Sequence, residues 1–182
     1  MVKGHLLLLL ALLAFATLTH AADKPAQGFA MDNLVLYQPN DVLAERLPGG
    51  PDALAAYIKQ LQGVLTEFFQ TAKFPETLHT IVAVRPDFRV RVWFLSSTRP
   101  GNAEALTPLR QKLEAIKPVE VQGGPVAFVI SGSIAGGDGK NPKAKKNYQP
   151  PVPREWMEAG KDLAPPVLVP DGYLDVVWPD KN

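Results

Sequence analysis

The chain has no cysteine among its 182 residues. Disulfide bonds, thiolate catalysis, cysteine-ligated zinc and a lipidated N-terminal cysteine are therefore excluded. Histidine is almost as scarce, because two of the three histidines lie in the leader described below and leave only His79. A metal site that needs two histidines is thus excluded in the rest of the chain. We expect neither a metal nor a cofactor.

Residues 1–21 have the pattern of a secretory signal peptide. Lys3 gives a positive start, residues 6–18 form an apolar run, and small residues follow up to Ala21. This run of 13 residues is shorter than the ~20 that a helix needs to cross a bilayer. We predict a mature chain that begins at Ala22 and lies in the periplasm or is secreted. An uncleaved membrane anchor is the alternative.

The charge of the predicted mature chain is balanced. Removal of residues 1–21 takes one lysine from the 19 Lys and Arg residues, and the 18 that remain equal the 18 Asp and Glu residues. A net charge near zero argues against binding nucleic acid over a broad cationic surface. Export without disulfides favours a bacterial periplasm over a disulfide-stapled extracellular module.

Hydrophobic periodicity predicts one α+β domain over residues 22–135, with two helices packed on a small, largely antiparallel sheet. The strongest helix begins at Pro51 and ends near Lys73, and a second lies within residues 102–117 and starts at Pro108 or kinks there. The expected strands are an edge strand at 34–37, a hairpin at 78–85 and 88–95, and a buried strand in `VAFVISGSI`.

After residue 135 the composition changes. Residues 136–153 are rich in Gly, Lys and Pro and are predicted to form a flexible loop. Residues 154–182 are predicted to form an extended, Pro-rich segment that packs on or beside the domain. Within it we expect a short helix near residues 155–161 and an edge strand at 173–178.

The hairpin has an unusual mixed face, which we call the Arg/Trp face: Arg89, Arg91 and Trp93. These residues alternate with Val90, Val92 and Phe94. A turn with an even number of residues pairs Arg85 with Phe88, and the core face is then predicted to contain the following residues: Ile81, Ala83, Phe88, Val90, Val92 and Phe94. The same register pairs His79 with Phe94, and Arg89, Arg91 and Trp93 with Val84, Val82 and Thr80.

No catalytic motif is present, and no catalytic residue is predicted. The sequence lacks G-x-S-x-G and S-x-x-K. His79 is the one residue that a Ser-His-Asp triad would have to use, and a structural role is favoured for it. The glycine-rich stretch before Lys140 fails as a phosphate loop, because Ile134 and Asn141 stand where a glycine and a hydroxyl are required.

Residues 78–137 resemble the C-terminal domain of the TonB family, periplasmic energy-transducing proteins. The motifs that carry the resemblance are Val84, Pro86-Asp87, Arg89-Val90 and residues 94–97, 100–102, 106–116 and 124–126. The resemblance implies two helices on a three-stranded sheet whose edge recruits a peptide strand.

Together these features predict a non-catalytic binding or adaptor protein that recognises a protein or peptide partner in the cell envelope. The Arg/Trp face or the sheet edge is the expected site, since Arg and Trp are enriched at interface hot spots. Lysines of the flexible loop are further candidates for the partner-binding site: Lys140, Lys143, Lys145 and Lys146. The alternatives are an inhibitor or immunity-type protein and a cell-envelope hydrolase. The C-terminal segment can also cover this face, with Trp156 or Trp178 near the arginines.

Overall fold

A computed structural model describes residues 28–96, 105–137, 152–162 and 170–179 of the chain. Its strands are β1 (Phe29–Leu36), β2 (Glu76–Val84), β3 (Val90–Ser96) and β4 (Val126–Ile134). Its helices are α1 (Asn40–Arg46), α2 (Gly50–Phe68), α3 (Thr107–Glu114), α4 (Arg154–Ala159) and α5 (Pro170–Val177). A short 3-10 turn, Gly160–Asp162, follows α4. The predicted α+β class is confirmed.

The four described strands form one antiparallel sheet in the order β1-β4-β2-β3. β4 matches the strand predicted from its β-branched residues and lies inside the sheet, where both faces are covered. β1 extends the predicted edge strand toward the N-terminus and pairs with β4. The resemblance implied three strands, whereas the described sheet has four because β1 is added.

The helix α2 was predicted from its apolar stripe, and its buried face agrees. Leu54, Ile58, Leu61 and Leu65 are all buried. The helix ends at Phe68, which is several residues before the predicted end at Lys73. α3 begins beside Pro108, as one of the two sequence alternatives proposed. α1 was not predicted, because its seven residues include a single buried side chain, Leu43, and therefore show no apolar stripe.

The predicted hairpin register is wrong by one residue. Arg85 N–H donates to Arg89 O and Phe88 N–H donates to Arg85 O, so the loop has three residues, 86–88, rather than an even number. Phe88 adopts a left-handed conformation with φ 62°, which completes a turn followed by a bulge. Asp87 supports the turn by accepting a hydrogen bond from Arg89 N–H at 3.2 Å.

This shift exchanges the two faces of β2. Val82 and Val84 pair with Val92 and Val90 and join the main core, whereas Ile81 pairs with Trp93 on the opposite face. Ala83 lies opposite Arg91, and His79 lies opposite Leu95 instead of Phe94. Phe88, which was assigned to the core face, is 54% exposed at the tip of the turn. The assignments of Val90, Val92 and Phe94 are confirmed, since all three contribute to the main core.

The sheet has a hydrophobic cluster on each face. The first and larger cluster contains residues of α1, α2 and α3 against the sheet. The second cluster joins Ile81, Ala83 and Trp93 to two buried residues of the C-terminal helices, Trp156 and Leu174. Helices therefore cover both faces of the sheet.

Two expectations for the C-terminal segment have different outcomes. The short helix near residues 155–161 is confirmed by α4. The edge strand at residues 173–178 is wrong, because residues 173–177 belong to α5. One side of α5 packs on the sheet and buries Leu174 completely, an arrangement that a helix achieves with a single apolar stripe.

Candidate functional site

The Arg/Trp face lies under the C-terminal helices in this structure. Trp93 is 7% exposed, and its ring meets the rings of Trp156 and Trp178 edge-on, at centroid distances of 5.1 and 6.4 Å. The indole N–H of Trp93 donates to the carboxylate of Glu155 in α4. The alternative in which the C-terminal segment covers this face is therefore confirmed.

The arginines of the hairpin are directed at the C-terminal end of α5. Arg91 Nη1 lies 3.2 Å from Val177 O, and Arg89 Nη1 lies 3.2 Å from Pro179 O. Arg85, at the end of β2 on the same face, donates to Trp178 O at 2.7 Å. The last carbonyl groups of a helix have no partner within the helix and carry partial negative charge. Arg91 supplies such a donor to Val177, the last residue of α5, and Arg85 and Arg89 donate to the next two residues of the chain.

The indole of Trp178 lies close to two of these guanidinium groups. The Cζ atoms of Arg85 and Arg89 are each 5.2 Å from its ring centroid, and Arg91 lies 5.4 Å from the ring of Trp93. Distances below about 6 Å are in the range of cation–π attraction. Arg85 is 2% exposed and also contacts Asp175 at 3.2 Å. Its role was not predicted, because the expected register paired Arg85 with Phe88 on the core face, whereas Arg85 pairs with Arg89.

Arg46 of α1 holds the other end of α5. Its two terminal nitrogens lie 2.9 and 2.5 Å from the two carboxylate oxygens of Asp171. Nη1 also donates to Pro125 O at 2.7 Å. The hydrogen bonds to Asp171 raise the pKa of Arg46 above its usual value despite partial burial. Nothing in the sequence pairs these two residues, which are 125 positions apart.

The turn of the hairpin has its own ion pair. The side chain of Arg89 donates to Asp87, which is two residues earlier. Desolvation opposes ionisation, but the hydrogen bonds and the charge of Arg89 together hold the pKa of Asp87 below its usual value. The guanidinium of Arg89 is therefore positioned by the turn as well as by α5.

The outer edge of β3 is partly protected. Val92 N–H, which points away from β2, donates to Glu114 Oε1 of α3 at 3.0 Å. A carboxylate on an edge donor blocks the addition of another strand at that position. A cleft of about 680 Å³ also borders β3, and its lining includes Phe94, Leu106 and Arg110.

His79 and Ser131 form a cross-strand pair, with Nδ1 and Oγ 2.8 Å apart. Ser131 is 1% exposed, so a substrate cannot reach its hydroxyl without opening the sheet. A nucleophilic serine must meet the reacting carbon. This geometry fits the structural role favoured for His79. Within the described ranges no group of three or more His, Asp or Glu side chains could hold a metal ion.

The lysines predicted to bind a partner lie outside the described residues: Lys140, Lys143, Lys145 and Lys146. So do the predicted signal peptide and most of the predicted loop. In the part of the chain that is described, no helix is both long and apolar enough to cross a membrane. Comparison of the chain with protein-family models, curated proteins and solved structures finds no match.

Proposed function

We propose that the protein is a non-catalytic binding protein of the cell envelope that recognises a protein segment through the Arg/Trp face. One observation carries this proposal: guanidinium groups of one hairpin converge on main-chain carbonyls and an indole from another segment. Donors arranged in this way recognise main-chain carbonyls at the end of a helix. In the structure the chain's own α5 occupies the face, so a partner binds by displacing α5.

The sheet edge is the weaker candidate for the binding site. The resemblance to the TonB family implies strand addition at an edge, but Glu114 already accepts from the outward N–H of Val92. The opposite edge of the sheet is β1, which contains neither arginine nor tryptophan. The Arg/Trp face offers charged donors, aromatic surface and apolar area together, which is the composition of interface hot spots.

Location in the periplasm rests on the signal-peptide pattern of residues 1–21. The mass of the exported protein tests it, because cleavage before Ala22 gives a species without the first 21 residues. The lysines from Lys140 to Lys146 would add a cationic segment that attracts an acidic partner and speeds its association. Both statements belong to the proposal.

The test compares two double variants with the same change of charge. Arg89→Ser with Arg91→Ser alters the face, whereas Lys59→Ser with Lys112→Ser alters exposed residues of α2 and α3 on the opposite side of the sheet. Each protein is used to capture partners from cell-envelope extract, and the affinity for a captured partner is then measured by calorimetry. Leu174→Ser is added to every protein so that α5 no longer competes, and we then expect the arginine variant to bind at least about tenfold more weakly, since charged hydrogen bonds contribute about 1.5–3 kcal/mol.

The lysine variant is expected to bind like the unaltered protein. Equal binding by the arginine variant would reject the Arg/Trp face as the site. A denaturant melt of each variant accompanies the binding data, because loss of the arginines also loosens α5. Binding that falls while the melts remain two-state separates recognition from unfolding.

A further inference from the structure

We infer that the partner presents a short amphipathic helix with the anchor pattern of α5, an acidic residue followed by Leu three positions later and Trp four positions after that. This inference rests on the proposed function and names the chemistry of its ligand. The three anchors are Asp171 and Leu174 of α5 and Trp178, which follows directly after α5 and continues its hydrogen bonding by donating to Leu174 O. Helical geometry places residues at i, i+3 and i+7 on one side, so all three face the same surface.

Each anchor has a separate receptor in the rest of the chain. Asp171 meets Arg46 in a two-point ion pair, Leu174 is fully buried in the second hydrophobic cluster, and the ring of Trp178 lies against Arg85 and Arg89. A bidentate arginine–carboxylate pair is directional, and it therefore selects an acidic residue at the start of the helix. The arginines at the other end select free carbonyl groups.

Most of the receptor is held in place by contacts that do not involve α5. Arg46 donates to Pro125 O, Arg89 pairs with Asp87, and Arg91 lies over Trp93. These groups keep their orientation when α5 leaves. A preformed site loses less conformational entropy on binding, which favours a second helix in the same place.

α5 itself is a weakly folded occupant. It has eight residues and contains Gly172 in its first half. Helices shorter than about 12–15 residues are marginal in water without tertiary contacts, and an interior glycine weakens them further. An undocked α5 therefore unfolds, whereas an uncovered face would expose Ile81, Ala83 and Trp93 to water. The face thus favours exchange of one helix for another over an open state.

The experiment uses the full chain and a dye-labelled peptide of residues 170–179. Fluorescence anisotropy measures binding of the peptide to the unaltered protein and to Leu174→Ser, in which α5 has lost its buried anchor. We expect Leu174→Ser to bind the peptide at least about tenfold more tightly than the unaltered protein, because the tethered α5 competes at an effective concentration in the millimolar range.

An exchange of charge between Arg46 of the protein and Asp171 of the peptide tests whether the recognition is specific. A peptide with Asp171→Lys is expected to bind Leu174→Ser at least about tenfold more weakly, and a protein carrying both Arg46→Asp and Leu174→Ser is expected to recover that peptide. A folded Leu174→Ser protein that does not bind the natural peptide overturns the inference. So does equal binding of both peptides. If Leu174→Ser fails to fold, the chain variant Asp171→Asn takes its place in every arm.

Two further results would distinguish a helical partner from a second copy of the chain and from a partner of another kind. A dimer whose formation requires Leu174 in the unaltered protein means that the exchanged helix comes from a second copy, which overturns a separate partner. A captured envelope protein could require Arg89 and Arg91 for binding and yet lack the pattern of acidic residue, Leu and Trp. That result would contradict the proposed helical ligand. The Arg/Trp face as binding site would survive that second result.

Discussion

Arg46 of α1 and Asp171 of α5 form a two-point ion pair, with nitrogen–oxygen distances of 2.9 and 2.5 Å, that ties the C-terminal helix to the N-terminal part of the fold. Their side chains are 15% and 27% exposed. The pair is thus partly shielded from water, and both partners have lost some hydration. Removal of one partner leaves the other under-solvated.

We expect Arg46→Ala to lower the free energy of unfolding by about 2–3 kcal/mol, because Asp171 and Pro125 O both lose a charged donor. Asp171→Asn should cost about 1 kcal/mol, since an amide keeps part of the hydrogen bonding. Urea denaturation measures both losses. Arg154→Ala is the control, because Arg154 is 88% exposed and its pair with Glu158 contributes little. A loss for Arg46→Ala no larger than the control contradicts the anchoring role.

Gly124 gives an independent test of the position of Arg46. A Cβ atom at Gly124 would lie 2.7 Å from Arg46 Cζ, and its φ of +146° is unfavourable for other residues. Neighbouring Gly123 also has a positive φ, +68°, but has open space around it. We therefore expect Gly124→Ala to destabilise the protein by at least about 1 kcal/mol more than Gly123→Ala, which adds only backbone strain. Because displacement of Arg46 would loosen α5, limited proteolysis in the C-terminal segment should be faster in Gly124→Ala than in Gly123→Ala.

Gly132 of β4 makes room for β1. A side chain there would overlap the ring of Phe29 and Ala30 O. We expect Gly132→Ala to destabilise the protein by about 2–4 kcal/mol, through overpacking in a buried sheet, and to increase amide hydrogen exchange across β1. Gly63→Ala is the matched control, because Gly63 lies in α2 with open space around it and should gain about 0.5–1 kcal/mol. Normal protection of β1 in Gly132→Ala would show that the ring of Phe29 moves aside.

Tyr57 carries an unmatched hydroxyl into the core. It is 2% exposed, packs edge-on against Phe128 at 6.2 Å, and its Oη atom has no hydrogen-bond partner among the described residues. An unsatisfied buried polar group costs about 1–3 kcal/mol. We therefore expect Tyr57→Phe to leave stability unchanged or raise it by about 1 kcal/mol in urea melts. A loss above about 1 kcal/mol would mean that the hydroxyl has a partner.

The same residue predicts a loss of stability in alkali. Burial raises the pKa of Tyr57 above its usual 10.0, with a smaller contribution from the charge of Glu114. The unfolded chain releases this proton near pH 10, whereas the folded chain retains it. The stabilisation is complete below pH 10 and declines as the pH rises from there toward the pKa of the folded state. Urea melts at pH 8 and pH 11 measure the loss of unfolding free energy between the two pH values. We expect this loss to be smaller for Tyr57→Phe than for the unaltered protein.

Several elements could be predicted because local pattern was sufficient. The stripe of α2, the β-branched run of β4 and the proline at the start of α3 each specify one kind of structure. α1 was missed because its seven residues offer only one buried side chain, Leu43. The apolar run of α5 is short enough to fit both the period of a helix and that of a strand, and a strand was predicted. Packing against the sheet favours the helix.

The hairpin shows where the sequence becomes ambiguous. β2 is buried on both faces, so its two alternating sets, Val82 with Val84 and Ile81 with Ala83, are both apolar. Alternation of polar and apolar residues shows which side chains face the core only when one face of the strand is polar. In β2 both sets are apolar, so two registers that differ by one residue fit the sequence equally well. The left-handed conformation of Phe88 set the loop at three residues, and the register followed.

Local sequence pattern was enough to predict the α+β class, the burial of α2 and β4, and the alternation that puts Arg89, Arg91 and Trp93 on one side of the hairpin. These features depend on spacing along a single element. The contacts of the arginines with carbonyls at the end of α5, and of Arg46 with Asp171, were visible only once the chain was folded. Those contacts join elements far apart in the chain, and their partners are chosen by packing and by unmatched hydrogen-bonding groups, which leave no local periodicity.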